Sequence, residues 1–213
     1  MRIPKHIAII PDGNRRWATT KGLGKEEGYA YGLDPGVAVL RLAKEYNIEE
    51  ITYYGFTVDN CKRPALQQAA FKQACVDAVE KIKKENNVSL LVIGKTDSKN
   101  FPTELLPYTE RVDIGEPEIK VNFLVNYGWE WDLSGTFEHF EAENVKEAIF
   151  SHDISRIDLV IRWGGMRRLS GLLPVQSVYA DFFVIDDFWP DFKPDQMKEA
   201  LQWYDKQDVT LGG

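Results

Sequence analysis

A chain of 213 residues can bury one sizeable core and is too short for two full domains. Its 44% hydrophobic and 28% charged residues are ordinary for a globular protein, and a formal charge of −7 excludes a surface built throughout to bind nucleic acid. Cys61 and Cys75 form neither a metal-ligand spacing nor a disulfide framework, which fits a reducing compartment and a cytoplasmic protein.

The run from His6 to Ile10 predicts a buried strand, and it is too short to be the apolar part of a leader. Val37, Leu40, Ala43 and Lys44 recur at three- and four-residue steps and predict a helix over 36–46. A second strand is expected over 51–56. Pro64 suits a first helical position and introduces a long helix over 65–86. Strands over 88–93 and 120–126 bracket 101–117, whose three prolines and acidic residues predict an irregular segment. A weaker helix over 136–150, strands over 158–162 and 178–185, and a last helix over 195–205 complete the chain. No stretch approaches the roughly 18 apolar residues of a membrane span, so any membrane contact is peripheral. This alternation predicts one α/β domain over 1–213 with a mostly parallel sheet.

In such sheets ligands bind beyond the carboxyl ends of the strands. Three polar segments directly follow predicted strands: Asp12-Gly-Asn-Arg-Arg16, Thr57-Val-Asp-Asn-Cys-Lys-Arg63 and Arg162-Trp-Gly-Gly-Met-Arg-Arg-Leu-Ser170. Arginine offers a planar fork of donors that matches phosphate oxygens, and glycine lets backbone N–H groups approach an anion. Arg15, Arg16, Lys25, Lys62, Arg63, Arg162, Arg167 and Arg168 concentrate positive charge in an acidic chain. Two arginine groups suggest two phosphate-bearing ligands or one long one, and Asp12 is suited to hold a divalent cation against a phosphate. Singly, each feature has a plainer reading, since Asp-Gly-Asn is a common turn and a lone arginine is ordinarily a surface ion-pair partner. Three arginine loops at three strand ends are improbable as unrelated surface features. His6, His139 and His152 show no pairing, and the aromatic stretches 129–131 and 182–189 suit core and interface.

His6-Ile-Ala-Ile-Ile-Pro-Asp-Gly-Asn-Arg-Arg-Trp-Ala18 resembles the opening signature of the cis-prenyltransferases, the undecaprenyl diphosphate synthase family. Gly28-Tyr-Ala-Tyr-Gly32, Phe56-Thr-Val-Asp-Asn-Cys-Lys-Arg-Pro64, Ile161–Ser170, Gln176-Ser-Val-Tyr-Ala-Asp181 and Trp189-Pro-Asp-Phe192 resemble further family motifs in the same order. The resemblance implies a six-stranded parallel sheet ringed by helices, usually in a homodimer, with a heteromer of active and supporting subunits as the alternative. It implies Mg2+-assisted condensation of an allylic diphosphate with isopentenyl diphosphate. Carried over by position, Asp12 is the metal-linked catalytic aspartate and Asn60 helps remove the proton. Gly13, Asn14, Arg15, Arg16, Trp17, Lys25, Tyr29, Thr57, Asp59 and Arg63 fall to the allylic diphosphate. Arg162, Arg168, Leu169 and Ser170 fall to isopentenyl diphosphate, and Asp181 stands for a metal-binding glutamate.

The chain departs from the family pattern at several places. Pro11 replaces a methionine, Tyr29 a histidine, Asp59 a glutamate and Cys61 a tryptophan, while Trp163 and Met166 replace a threonine and a glutamate. The end, Val209-Thr-Leu-Gly-Gly213, lacks the family's Arg-x-Gly. These departures imply that diphosphate binding is kept and that the product is of short or medium length, with an irregular, head-to-middle linkage open beside the linear cis one.

Overall fold

The computed structural model describes residues 1–139 and 141–208, so the terminal 209–213 that lacks the Arg-x-Gly lies outside the described residues. Alternation within each apolar run decides which side of the sheet a side chain feeds. In β1 (His6–Ile10), Ile7 and Ile9 enter one core while Ala8 and Ile10 enter the other. Buried on both faces, β1 sits at the centre of the sheet. β2 (Glu50–Thr57) and β6 (Leu159–Arg162) flank it in parallel, with Ile9 level with Tyr53 and Ile10 level with Arg162. Beyond β2 lie β5 (Ile119–Tyr127), β3 (Val88–Ile93) and β4 (Val112–Ile114), and beyond β6 lies β7 (Asp181–Val184). The chain adds strands first on one side of β1 and then on the other, which makes the carboxyl end of β1 the switch point of the sheet.

Helices close both faces. α3 (Leu33–Glu45), α4 (Ala65–Lys84) and α7 (Pro194–Asp205) bury Leu40, Val79 and Leu201 on the side of Ile7 and Ile9. α5 (Trp129–Glu138) packs Trp131 against the opposite core, with α6 (Val145–Ala148) beside it. α1 (Asn14–Thr20) and α2 (Gly28–Tyr31) cross the carboxyl edge. No helix among the described residues is long and apolar enough to cross a membrane.

Several expectations are corrected. Among the described residues the sheet has seven strands rather than six, because 101–117 folds into a 3₁₀ turn at Thr103–Tyr108 followed by β4. β4 runs antiparallel to β3, and its three residues are too few to show a period in sequence. The helix expected over 136–150 is two helices. Buried Asp132 accepts from Tyr127 Oη, Ser151 N and Ser151 Oγ, each at 2.7 Å, and this network anchors α5 ahead of the predicted start. Pro64 caps α4 with an extended ψ of 146° instead of opening it, and α3 begins at Leu33, ahead of 36.

Toward the amino ends of the strands runs a buried polar network. Glu50 accepts from Asn122 Nδ2 at 2.7 Å and Ser155 Oγ at 2.5 Å. His6 Nε2 meets Thr52 Oγ1 at 2.8 Å, and its Nδ1 faces the Ser155 carbonyl at 3.1 Å. Arg111 closes the network by donating to Asn122 Oδ1 at 2.7 Å and to Asp153 at 2.5 Å.

Candidate active site

Three strand ends meet through one arginine. Past β1 the chain turns at Gly13, whose φ of +104° favours glycine, and the Gly13 N–H donates to Asp12 Oδ1 at 2.6 Å. Arg162, the last residue of β6 and 4% exposed, donates from Nη2 to Asp12 Oδ2 at 2.8 Å. Its Nη1 donates to Ser170 Oγ at 3.0 Å and to the Arg168 carbonyl. From β2, Tyr54 Oη donates to the Ser170 carbonyl at 2.8 Å, holding that residue in the left-handed region at φ +54°. Arg16, one turn into α1, brings Nη2 to 3.5 Å from Asp12 Oδ1.

After β2 the chain enters a 3₁₀ turn, Val58–Lys62, in which the Thr57 N–H donates to Asn60 Oδ1 at 3.0 Å. Arg63 then donates to Tyr29 Oη at 3.0 Å, with its guanidinium 5.3 Å from the centre of the Phe71 ring. Tyr29 stacks on Phe71 at 4.4 Å and 5°. Burial pushes the Tyr29 hydroxyl up, so it stays protonated at neutral pH, and burial with the nearby Arg15 pulls Arg63 down from a value high enough that it keeps its charge.

These groups line a cleft of about 600 Å³. It brings together Asp12, Gly13, Asn14, Arg15, Arg16, Lys25, Tyr29, Thr57, Asp59, Asn60, Arg63, Arg162, Arg168 and Ser170. Pro11, Asn14, Tyr29, Gly55 and Phe71 also border a second, apolar slot of about 70 Å³ between α3, α4 and the sheet.

Three expected residues stand elsewhere. Trp17 is buried outside the cleft, donating from Nε1 to Asp191 Oδ1 at 2.8 Å and packing on Tyr31, because its helical position points it away from the arginines on either side. Leu169 lies at the surface outside the lining. Asp181 opens β7 level with Leu159, and hence with Ile7, at the amino ends of the strands, whereas Asp12 lies past the carboxyl end of β1. Within this chain Asp181 does not join Asp12. Of the departures, Pro11, Tyr29, Asp59 and Met166 line the cleft. Trp163 does not: it is fully buried against Trp189, with Nε1 donating to Gln196 Oε1 at 3.0 Å. Cys61, within the 3₁₀ turn, does not line the cleft and brings Sγ to 3.5 Å from Asn126 Oδ1. Tyr54 and Phe71 are site residues that the motif spacing misses, because both reach the cleft from inside regular elements.

Among the described residues no three His, Cys, Asp or Glu side chains gather as a cation cage. Asp12 is therefore a carboxylate that could hold a metal only in company with a ligand's own oxygens, which suits Mg2+ beside a diphosphate.

Comparison with known proteins agrees with this arrangement. Residues 10–212 match the profile of the undecaprenyl diphosphate synthase (prenyltransferase) family. The chain is 32% identical over 230 residues to a ditrans,polycis-undecaprenyl-diphosphate synthase ((2E,6E)-farnesyl-diphosphate specific) of Pseudomonas syringae pv. tomato, covering 99% of this chain and 91% of that protein. It is 31% identical over 229 residues to an isoprenyl transferase of Zymomonas mobilis, covering 99% and 92%. Its fold superposes on lavandulyl diphosphate synthase from Lavandula x intermedia, solved with dimethylallyl diphosphate, at a TM-score of 0.84, 20% identity and 99% of both chains. With the family matched over nearly the whole length, and relatives above 30% identity along it, this chain belongs to the undecaprenyl diphosphate synthase family and is a prenyltransferase.

Proposed function

We propose that the enzyme condenses an allylic prenyl diphosphate with isopentenyl or dimethylallyl diphosphate to give a short- or medium-chain isoprenoid diphosphate. The observation that carries this reading is the single cleft in which two groups of arginines flank Asp12 and which opens onto an apolar slot. Arg15, Arg16, Lys25 and Arg63 offer donors for the allylic diphosphate, and Arg162, Arg168 and Ser170 for the second substrate. Bound Mg2+ supplies charge neutralisation of the departing pyrophosphate. The chain's own part is to bind and orient. The allylic C–O bond breaks with its electron pair leaving on pyrophosphate, the second substrate's double bond supplies the pair for the new C–C bond, and a proton departs. Asn60 is an amide and no base, so its role is to orient the group that takes that proton, for which a pyrophosphate oxygen is the available acceptor.

The slot supports a short product. At about 70 Å³ it is far from the room a long isoprenoid chain would need. Tyr53, Ile82 and Phe123 are among the residues that border it. Phe137, 85% exposed, and Val178, 65% exposed, support a homodimer, and the unpaired Cys61 and Cys75 support a cytoplasmic setting.

Purified protein incubated with labelled isopentenyl diphosphate, a series of allylic diphosphates and Mg2+ tests the reading, with mass spectrometry and NMR giving product length and linkage. A five-carbon extension by one or a few units is expected. Absence of any condensed product sinks the proposal. Asp12→Ala should lower turnover at least about a hundredfold, as loss of one preorganised electrostatic group does, with an unchanged circular dichroism spectrum.

A further inference from the structure

The segment that follows β7 belongs to none of the three arginine loops, yet it fastens two of them. The Trp189 N–H donates to the Asp12 carbonyl at 3.0 Å, and the Gly164 N–H donates to the Asp187 carbonyl at 2.8 Å. Between these two bonds stands Phe188. Its ring covers the Gly13 turn so closely that a Cβ on Gly13 would lie 2.7 Å from Phe188 Cδ1. The centre of the same ring lies 5.1 Å from Arg16 Cζ, within the range of a cation–π contact. Arg16 is bounded elsewhere by Gly164, where φ is +82° and a Cβ would lie 2.5 Å from Arg16 Nη2. Nη2 is buried and makes no hydrogen bond within the protein, and it faces the Asp12 carboxylate at 3.5 Å. A buried donor without a hydrogen bond is rare and calls for a functional reason.

We propose that Phe188 is a positioning residue which, with Gly164 closing the space behind, holds the Arg16 guanidinium at the cleft with Nη2 turned toward Asp12, so that its remaining donors are ready for an oxygen of the first diphosphate. The inference rests on the reading that the cleft binds diphosphates. The aromatic face does this without taking any N–H donor beyond the one that faces Asp12. An aliphatic residue at 188 would still cover Gly13 but would leave the guanidinium free to turn into solvent.

Calorimetric binding of inorganic pyrophosphate, which needs no turnover, separates this from failure of the proposed reaction. Phe188→Leu should weaken pyrophosphate binding roughly three- to tenfold, the range of a partly exposed cation–π contact, and raise KM for the allylic substrate with kcat little changed. Phe188→Tyr should stay within about twofold of the wild type. In an Arg16→Ala background Phe188→Leu should have no further effect, since the ring would have nothing left to hold. Equal losses for Leu and Tyr, or a full Leu effect without Arg16, would overturn the proposal, as would a loss that follows the melting temperature. Wild-type protein that binds pyrophosphate as expected but condenses no substrates would refute the proposed reaction and leave the Phe188 assignment standing. Wild-type protein that binds no pyrophosphate would refute both.

Discussion

At the scale of single residues, the departures from the family pattern divide by where their side chains point. Trp163 replaces a threonine beside Arg162, yet its side chain faces the α7 core and does not line the cleft. Trp163→Thr should therefore cost about 3–5 kcal/mol of stability, as large-to-small core changes do, read from denaturant unfolding, with product distribution unaltered in whatever folds. Met166 faces the cleft, so Met166→Glu should change kinetics or product ratio while shifting stability by less than about 0.5 kcal/mol, the usual range for surface changes. A product shift from the tryptophan change with none from the methionine change would reverse this assignment. The sequence makes Asp12, Arg16, Arg63 and Arg162 legible because arginines recur after three separate apolar runs, a coincidence that turns and lone surface ion pairs do not explain. It does not separate Trp17 from its neighbours, because adjacent helical residues share a motif and differ by 100° in direction.

At the scale of elements, the amino ends of β1, β2 and β5 carry a titratable weakness. Burial pulls His6 below its usual value against the opposing field of Glu50, so it is neutral in the folded protein at pH 7. Burial pushes Glu50 up, but the field of His6 and the hydrogen bonds from Ser155 and Asn122 outweigh it and leave the carboxyl below its normal range. Both folded values are depressed, so the unfolded chain takes up protons first and stability falls with falling pH. The His6 contribution is present above about pH 6.5, its ordinary value, and is lost as pH drops through the lower folded value; that of Glu50 is lost at more acid pH. Urea midpoints at pH 7.5, 6.5 and 5.5 should decline, and His6→Gln should flatten the decline between the last two. An undiminished decline in that variant would remove His6 as the cause. Lys146, Asp158 and Arg111 also surround these groups. The strands themselves are readable from apolar runs. β4 and the start of α5 are not, because one is too short for a period and the other is anchored by the Asp132 network, which reaches 19 residues along the chain from Asp132 to Ser151.

At the scale of the whole molecule, parallel order places every ligand-bearing loop on one edge, which is why three segments spread from Asp12 to Ser170 could be joined before their contacts were known. The same order separates Asp181 from Asp12, something position in a motif cannot reveal, since strand ends are set by register. The exposed Phe137 and Val178 belong to this scale too. Light scattering should give a mass of about twice 24.4 kDa, and Phe137→Glu should shift it toward the monomer. A monomeric wild type would remove the homodimer.

Arg162 is bonded at once to the carboxylate of Asp12 and to the hydroxyl of Ser170. A ligand that took the Asp12 oxygens would free one arm of that guanidinium toward the Ser170 side of the cleft. Thermodynamic linkage would then make occupancy of either side favour the other to the same degree. The two substrates should bind with positive cooperativity inside one polypeptide, with one side chain as the coupling element, and Arg162→Lys, which cannot span both partners, should make the two affinities independent.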